Sequence, residues 1–153
     1  MCNLDILRLI KKLSRIFIFF KEKWCEMKNN VLLSIKPKYV TEILNNNKKY
    51  EYRKKIFIKD VGRVYIYSSS PQKKIVGYFE YKGYIEGTPL EIWEQTNHYS
   101  GISKADYFEY FRYRQKAYAI IIEKVVEYAH YINPREKDLS FVAPQSYKYV
   151  GEI

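Results

Sequence analysis

The chain has 153 residues, the size of one ordinary domain, and is 47% hydrophobic, enough for a real core. Its 27 lysines and arginines outnumber its 17 acids, and the net charge of +10 favours an anionic partner such as nucleic acid or an acidic membrane surface. Cys2 and Cys25 show no metal-ligand spacing and His98 and His130 stand alone, so neither a zinc centre nor Ser-His-Asp or Cys-His catalysis is expected. No metal and no cofactor is expected, and a reducing, cytoplasmic setting fits.

Residues 1–29 differ from the rest. Ile6, Leu7, Ile10, Leu13, Phe17, Phe20 and Trp24 recur at helical spacing, interrupted by Lys11, Lys12, Arg15, Lys21 and Lys23. The longest apolar run, Ile16–Phe20, is far too short for a membrane span or a secretory leader. A basic amphipathic helix of this kind lies on a membrane or docks on a partner. Met27, however, opens "MKNNVLLSIKP", which reads like a natural start. Residues 1–29 are therefore expected to be an extension, with 1–26 dispensable for folding and not used for membrane contact.

From Val31 the pattern is α+β. "VLLSIK" reads as a short apolar strand, and Pro37 suits the first turn of a helix carrying Val40, Ile43 and Leu44, stopped by Asn45–Asn47. "KKYEYRKK", Lys48–Lys55, alternates as a strand would. Lys49, Glu51, Arg53 and Lys55 share one face, and Lys48, Tyr50, Tyr52 and Lys54 share the other. Neither face is apolar, so one is expected to line a cleft and the other to meet solvent or an RNA backbone. Strands follow at 63–69 and 73–87, the second with Gly77 and Gly83 as bulge points. Thr88 caps a helix with Pro89 at its first position, where Leu90, Trp93 and Tyr99 are spaced to meet the core. Ser103 caps another, with Tyr107, Phe108, Tyr110 and Phe111 as packing residues. "KAYAIIIEKVVEY" is the most β-branched run and reads as a central strand, and "APQSYKYV" as a last short one. Five to six strands with two helical insertions predict a small mixed barrel.

Taken in this order, "SIKP", the first helix, "NKKYEYRKK", "SSSP" and "PQSYKY" resemble the ASCH domain family, within the PUA-like superfamily of small β-barrels. The resemblance covers about residues 30–150, giving a domain over 30–153. Its most specific part is Gly-x-Lys-x-x-Glu-x-Arg after the first helix, read here as Asn46, Lys48, Glu51 and Arg53. Asparagine replaces the glycine and tolerates the same left-handed helix end. The resemblance implies that RNA, or a nucleobase-like ligand, binds in a cleft walled by the first helix and the strand after it. Ser34, Lys36, Lys48, Lys49, Glu51, Arg53, Tyr67, Ser69 and Tyr147 are the candidate contacts. Arg53 offers a planar fork of donors, Glu51 orients it, the lysines line an electropositive rim, and Tyr67 or Tyr147 offers a stacking face. The plainer alternative makes Glu51–Arg53 a structural salt bridge.

Some members of that family are amidohydrolases that use a lysine with a nearby threonine and glutamate. Lys48 matches the lysine, but the threonine position is Glu51, and the acid falls near Ser100, with Glu94 and Asp106 close by. Others are ribonucleases, for which Glu51 with Lys48 or Arg53 supplies a base and a charge stabiliser. The resulting expectation is a binder of RNA or of a modified nucleotide without catalysis. A small metal-independent hydrolase is the alternative.

Overall fold

In chain order the elements are α1 (Asn3–Glu26), β1 (Asn29–Ile35), α2 (Pro37–Leu44), β2 (Tyr50–Arg53), β3 (Val61–Ser68), β4 (Lys74–Gly87) and α3 (Pro89–Thr96). After a 3₁₀ turn, Asn97–Tyr99, come α4 (Lys104–Tyr110), β5 (Ala117–Ile132), α5 (Pro134–Lys137) and β6 (Tyr147–Val150). This computed structural model describes residues 3–26 and 28–153, with side-chain surroundings for 6–18 and 28–153. Met27, Cys2 and the side chains of Phe20, Trp24 and Cys25 lie outside the described residues.

The strands form one six-stranded mixed sheet in the order β2-β5-β4-β3-β1-β6. Only β1 and β3 run parallel; the other neighbours are antiparallel. The expected α+β class, strand number and two helical insertions are all present. "Barrel" applies only loosely, because the short strands β2 and β6 are the two edges and do not pair with each other. Local sequence chemistry places the helices. Pro37 and Pro89 open α2 and α3; Thr88 and Glu91 form a reciprocal capping box; Ser103 accepts from the Asp106 amide at α4. Asn46 takes the left-handed conformation, φ 59°, that ends α2. At Gly77, where β4 shifts register against both neighbours, a Cβ would stand 2.0 Å from the Val126 carbonyl oxygen.

Three buried clusters carry the fold. The largest, between α2 and the sheet, holds Val31, Leu33, Ile35, Val40, Ile43, Val64, Ile66, Phe79 and Ile120. A second packs α3 and α4 onto β2 and β5 through Tyr52, Ile92, Tyr107, Phe111 and Ala119. A third sits on the opposite face, with Leu32, Tyr65, Tyr67, Ile75 and Phe141. The expected phase of α3 is corrected here. Ile92 is fully buried, whereas Leu90 and Tyr99 are exposed. Trp93 is half-buried against Tyr107 and Phe108. Tyr107 and Phe111 pack inward as expected, but Tyr110 is exposed.

Candidate functional site

β2 is held between β5 on one side and the α3–α4 insertion on the other. This explains why so polar a strand is buried. Tyr52 points into the aromatic cluster, its ring edge-on to Tyr107 at 4.8 Å and its hydroxyl 2.8 Å from Thr96 Oγ1. Burial pushes that phenol up to about 12. The expectation that one face of this strand meets solvent is therefore corrected: Tyr52 is core.

Beside Tyr52 lies a row of buried charges. Lys48, Glu51 and Arg53 are only 2%, 6% and 8% exposed. Glu51 stands between the two bases, with Oε1 2.9 Å from Arg53 Nη2 and Oε2 3.6 Å from Lys48 Nζ. Arg53 Nη2 also donates to the Ser34 carbonyl at 2.7 Å, and Lys48 Nζ donates to the Ser100 carbonyl at 2.9 Å. Lys48 is not the rim residue the sequence suggested. Its ammonium sits 4.6 Å from the Tyr52 ring centroid and 5.4 Å from that of Tyr39. Burial holds its pKa below the usual lysine range, against the opposing pull of Glu51. The loop after the 3₁₀ turn closes directly on this lysine. Gly101 has φ 58°, and a Cβ there would lie 2.5 Å from Lys48 Cβ.

These charges floor a cavity of about 580 Å³ between α2, α4, β1 and the segment before β6. Of the residues singled out from sequence, Ser34, Lys36, Lys48, Glu51, Arg53 and Ser69 line it. Lys49, Tyr67 and Tyr147 are elsewhere. Lys49 faces the Tyr99 ring. Tyr67 is buried against Phe141 in the third cluster, so it offers no stacking face. Tyr147 packs edge-on to Phe57 and donates its hydroxyl to the Ile56 carbonyl.

Other lining residues were not among the candidate contacts. Lys38, Tyr39, Asp106, Glu109, Tyr110, Gln145 and Ser146 all border the cavity. Lys38 on α2 and Asp106 on α4 form a 3.1 Å ion pair between its two helical walls, which holds the Asp106 carboxyl below its ordinary value. The backbone at Ser146 is fixed by β1, because the Ser34 amide donates to the Ser146 carbonyl and Ser34 Oγ to the Pro144 carbonyl. Ser100, near which the family's acid position falls, accepts from Lys48 with its backbone carbonyl. Of the acids proposed near it, Asp106 borders the cavity and Glu94 does not. Arg53 Nε is buried without a protein acceptor among the described residues. Those residues also contain no cluster of His, Cys, Asp and Glu that could hold a metal ion. The chemistry available is thus that of two cations sharing one carboxylate at the base of an open, partly aromatic cleft.

No protein-family model matches the chain. It is 33% identical over 116 residues to large ribosomal subunit protein uL22 from two strains of Ureaplasma parvum. That match covers 75% of this chain and 36% of the relative, so the chain spans about a third of that protein's length. It is 23% identical over 96 residues to an ASCH domain-containing ribonuclease from Zymomonas mobilis, covering 62% of this chain and 65% of the relative. The crystal structure of ASCH from Zymomonas mobilis superposes with a TM-score of 0.73 at 23% identity, over 79% of this chain and 87% of that one. A point mutant of the same protein gives 0.74 at 21% identity, over 80% and 89%.

Proposed function

We propose that this chain, which has the fold of the ASCH domain structures, is an RNA-binding protein of the cytoplasm whose cleft takes one nucleotide unit. The binding unit is residues 30–153, with 1–29 an extension. One observation carries this reading. The cleft is floored by three buried charges, Lys48, Glu51 and Arg53, where an ordinary fold would place apolar side chains. Holding ions out of water is costly, and a site that retains them has a use for preorganised donors. Arg53 is fixed by Glu51 and Ser34, so it meets an incoming phosphate or base carbonyl already oriented. The net charge of +10 draws a polyanion towards it. The two named relatives, a ribosomal protein and a ribonuclease, both have names that concern RNA.

Equilibrium titration with short RNA tests this. Arg53→Ala should weaken binding by about 1–3 kcal/mol, the usual size of a lost bidentate contact. Unchanged affinity per folded molecule would make Glu51–Arg53 a structural bridge and move the site elsewhere.

A second reading, RNA hydrolysis without a metal, is favoured by Lys48. Its depressed pKa suits a general base. Neutral Lys48 would take the proton of the 2′-hydroxyl as its oxygen attacks the adjacent phosphorus. The P–O5′ bond breaks, the 5′-oxygen leaves as the alcohol with a proton from water, a 2′,3′-cyclic phosphate remains, and Arg53 stabilises charge on the phosphate oxygens. Cleavage would then rise with pH through an inflection below the ordinary lysine value of 10.5, and Lys48→Met would abolish it. Intact RNA after prolonged incubation would leave binding as the whole function.

A further inference from the structure

We infer that the partner is a single strand that leaves the cleft across the α3–α4 insertion covering β2, with Tyr110 and Tyr99 as successive stacking faces for the bases flanking the bound nucleotide. This rests on the reading of the cleft given above and specifies the form of RNA it takes.

Most tyrosines near β2 are packed away, but these two are not. Tyr110 is 38% exposed and Tyr99 49% exposed, although both belong to the insertion that otherwise packs on β2. Each ring carries a lysine from an end of that strand. Lys54 Nζ lies 4.5 Å from the Tyr110 centroid, and Lys49 Nζ lies 4.3 Å from the Tyr99 centroid. The two units are alike: a partly exposed tyrosine ring with a lysine ammonium lying over it. That pairing meets the two needs of each nucleotide in a single strand, a surface for the base and a charge for the phosphate.

Each unit also borders a cavity. Tyr110 borders the main cleft. Lys49 borders a separate cavity of about 360 Å³ with Asn46, Tyr50 and the Ile121–Val125 segment. Lys48 borders both, so the cavities adjoin through it. The Lys49 amide donates to the Tyr99 carbonyl at 2.9 Å, fixing that aromatic unit beside the second cavity. Lys49 and Lys54 are five positions apart, so their Cα atoms are separated by no more than about 18 Å, a span for a few nucleotides. Paired bases are stacked on each other and cannot present their faces to tyrosine rings, which makes the track selective for unpaired RNA.

Fluorescence titration of the full chain with a mononucleotide, a single-stranded hexanucleotide and a fully paired GC-rich hairpin tests this. The hexanucleotide should bind at least about ten-fold more tightly than the mononucleotide, and more tightly than the hairpin at equal salt. Tyr99→Ala should remove about ten-fold of the hexanucleotide's advantage, and Tyr99→Phe, which keeps the stacking face, should restore it. Lys49→Ala should instead reduce the slope of log affinity against log salt by about one unit. A mononucleotide that binds with no gain from the longer strand would overturn the track and leave the cleft reading standing. So would a Tyr99→Ala protein with full hexanucleotide affinity, or a hairpin that binds as well. Failure of every probe to bind would overturn the cleft reading, and the track with it.

Discussion

The two most conspicuous basic stretches of the chain meet opposite fates. In "KKYEYRKK" the charges go inside: Lys48, Glu51 and Arg53 are almost fully buried. In α1 the apolar residues stay outside: Ile6, Leu9, Ile10 and Leu13 are all exposed, and Phe17 is 72% exposed. Hydropathy alone would assign the reverse. The difference lies in what each stretch finds as a neighbour. β2 has a ladder to β5, an aromatic insertion above it and a carboxylate of its own between two cations. The described side chains of α1 have no buried cluster to join. Burial thus follows available partners more than residue type.

The strongest way to break this contrast is to remove the apolar anchor of β2. Tyr52→Ala empties a site walled by Tyr107 and leaves Thr96 Oγ1 with one partner fewer, so it should cost about 4 kcal/mol in chemical denaturation. A cost below about 1 kcal/mol would mean that β2 is held by its charges and ladder alone. Next comes the shared carboxylate. Glu51→Ala leaves Lys48 and Arg53 as like charges without their common partner and should cost about 3 kcal/mol. Glu51→Gln keeps the shape and should cost less. If both variants are as stable as the parent, the row is solvated in solution and the argument for preorganisation fails.

A smaller effect tests Lys48 itself. Lys48→Met removes an ammonium that burial disfavours, along with its bond to the Ser100 carbonyl, and at neutral pH these losses and gains should balance within about 1 kcal/mol. The pH dependence is more telling. The folded pKa is depressed, so between it and the unfolded value of 10.5 the unfolded chain binds more protons. Parent stability should therefore rise with pH across that interval relative to the methionine variant. Above about pH 10 buried tyrosines such as Tyr52 act the other way, because the unfolded chain then releases their protons first. Parallel stability curves for the two proteins would show that Lys48 titrates as an ordinary lysine.

Much of the fold was legible because its signals are local. Proline at first helical turns, the Thr88–Glu91 box, the left-handed Asn46 and the register shift at Gly77 each act within a few residues. Glu51 and Arg53 were legible as one face from alternation, whereas Lys48, which precedes β2 and was put on the other face, joined them only through the family resemblance. The burial of all three was not legible, because that depends on an insertion some fifty positions away in the chain, where the Ser100 carbonyl receives Lys48. The other half of the cleft was hidden for the same reason: Asp106, Tyr110 and Ser146 are distant in the chain and reach α2 and β2 only once the sheet has assembled. Tyr67 was misplaced because alternation gives two faces to β3 without saying that both are covered. Val64 and Ile66 enter one cluster and Tyr65 and Tyr67 another.

The smallest expected effect concerns α1, and it sharpens the contrast most directly. If burial depends on partners, a helix whose described apolar residues are all open should add almost nothing to domain stability. The core clusters begin at Val31 and Leu32, and Lys28 and Asn29 already tie β1 to Asp60 beside β3. A chain begun at Met27 should therefore unfold cooperatively with a midpoint within about 4 °C of the full chain, the shift worth roughly 1 kcal/mol in a domain of this size. The full chain carries an open apolar face with Arg8, Lys11, Lys12 and Arg15 along the same helix, and it should be the less soluble of the two at high concentration. A drop of ten degrees or more, or loss of the cooperative transition, would place Phe17 and its neighbours among the stabilising contacts. The rule drawn from β2 would then fail where it is simplest to test.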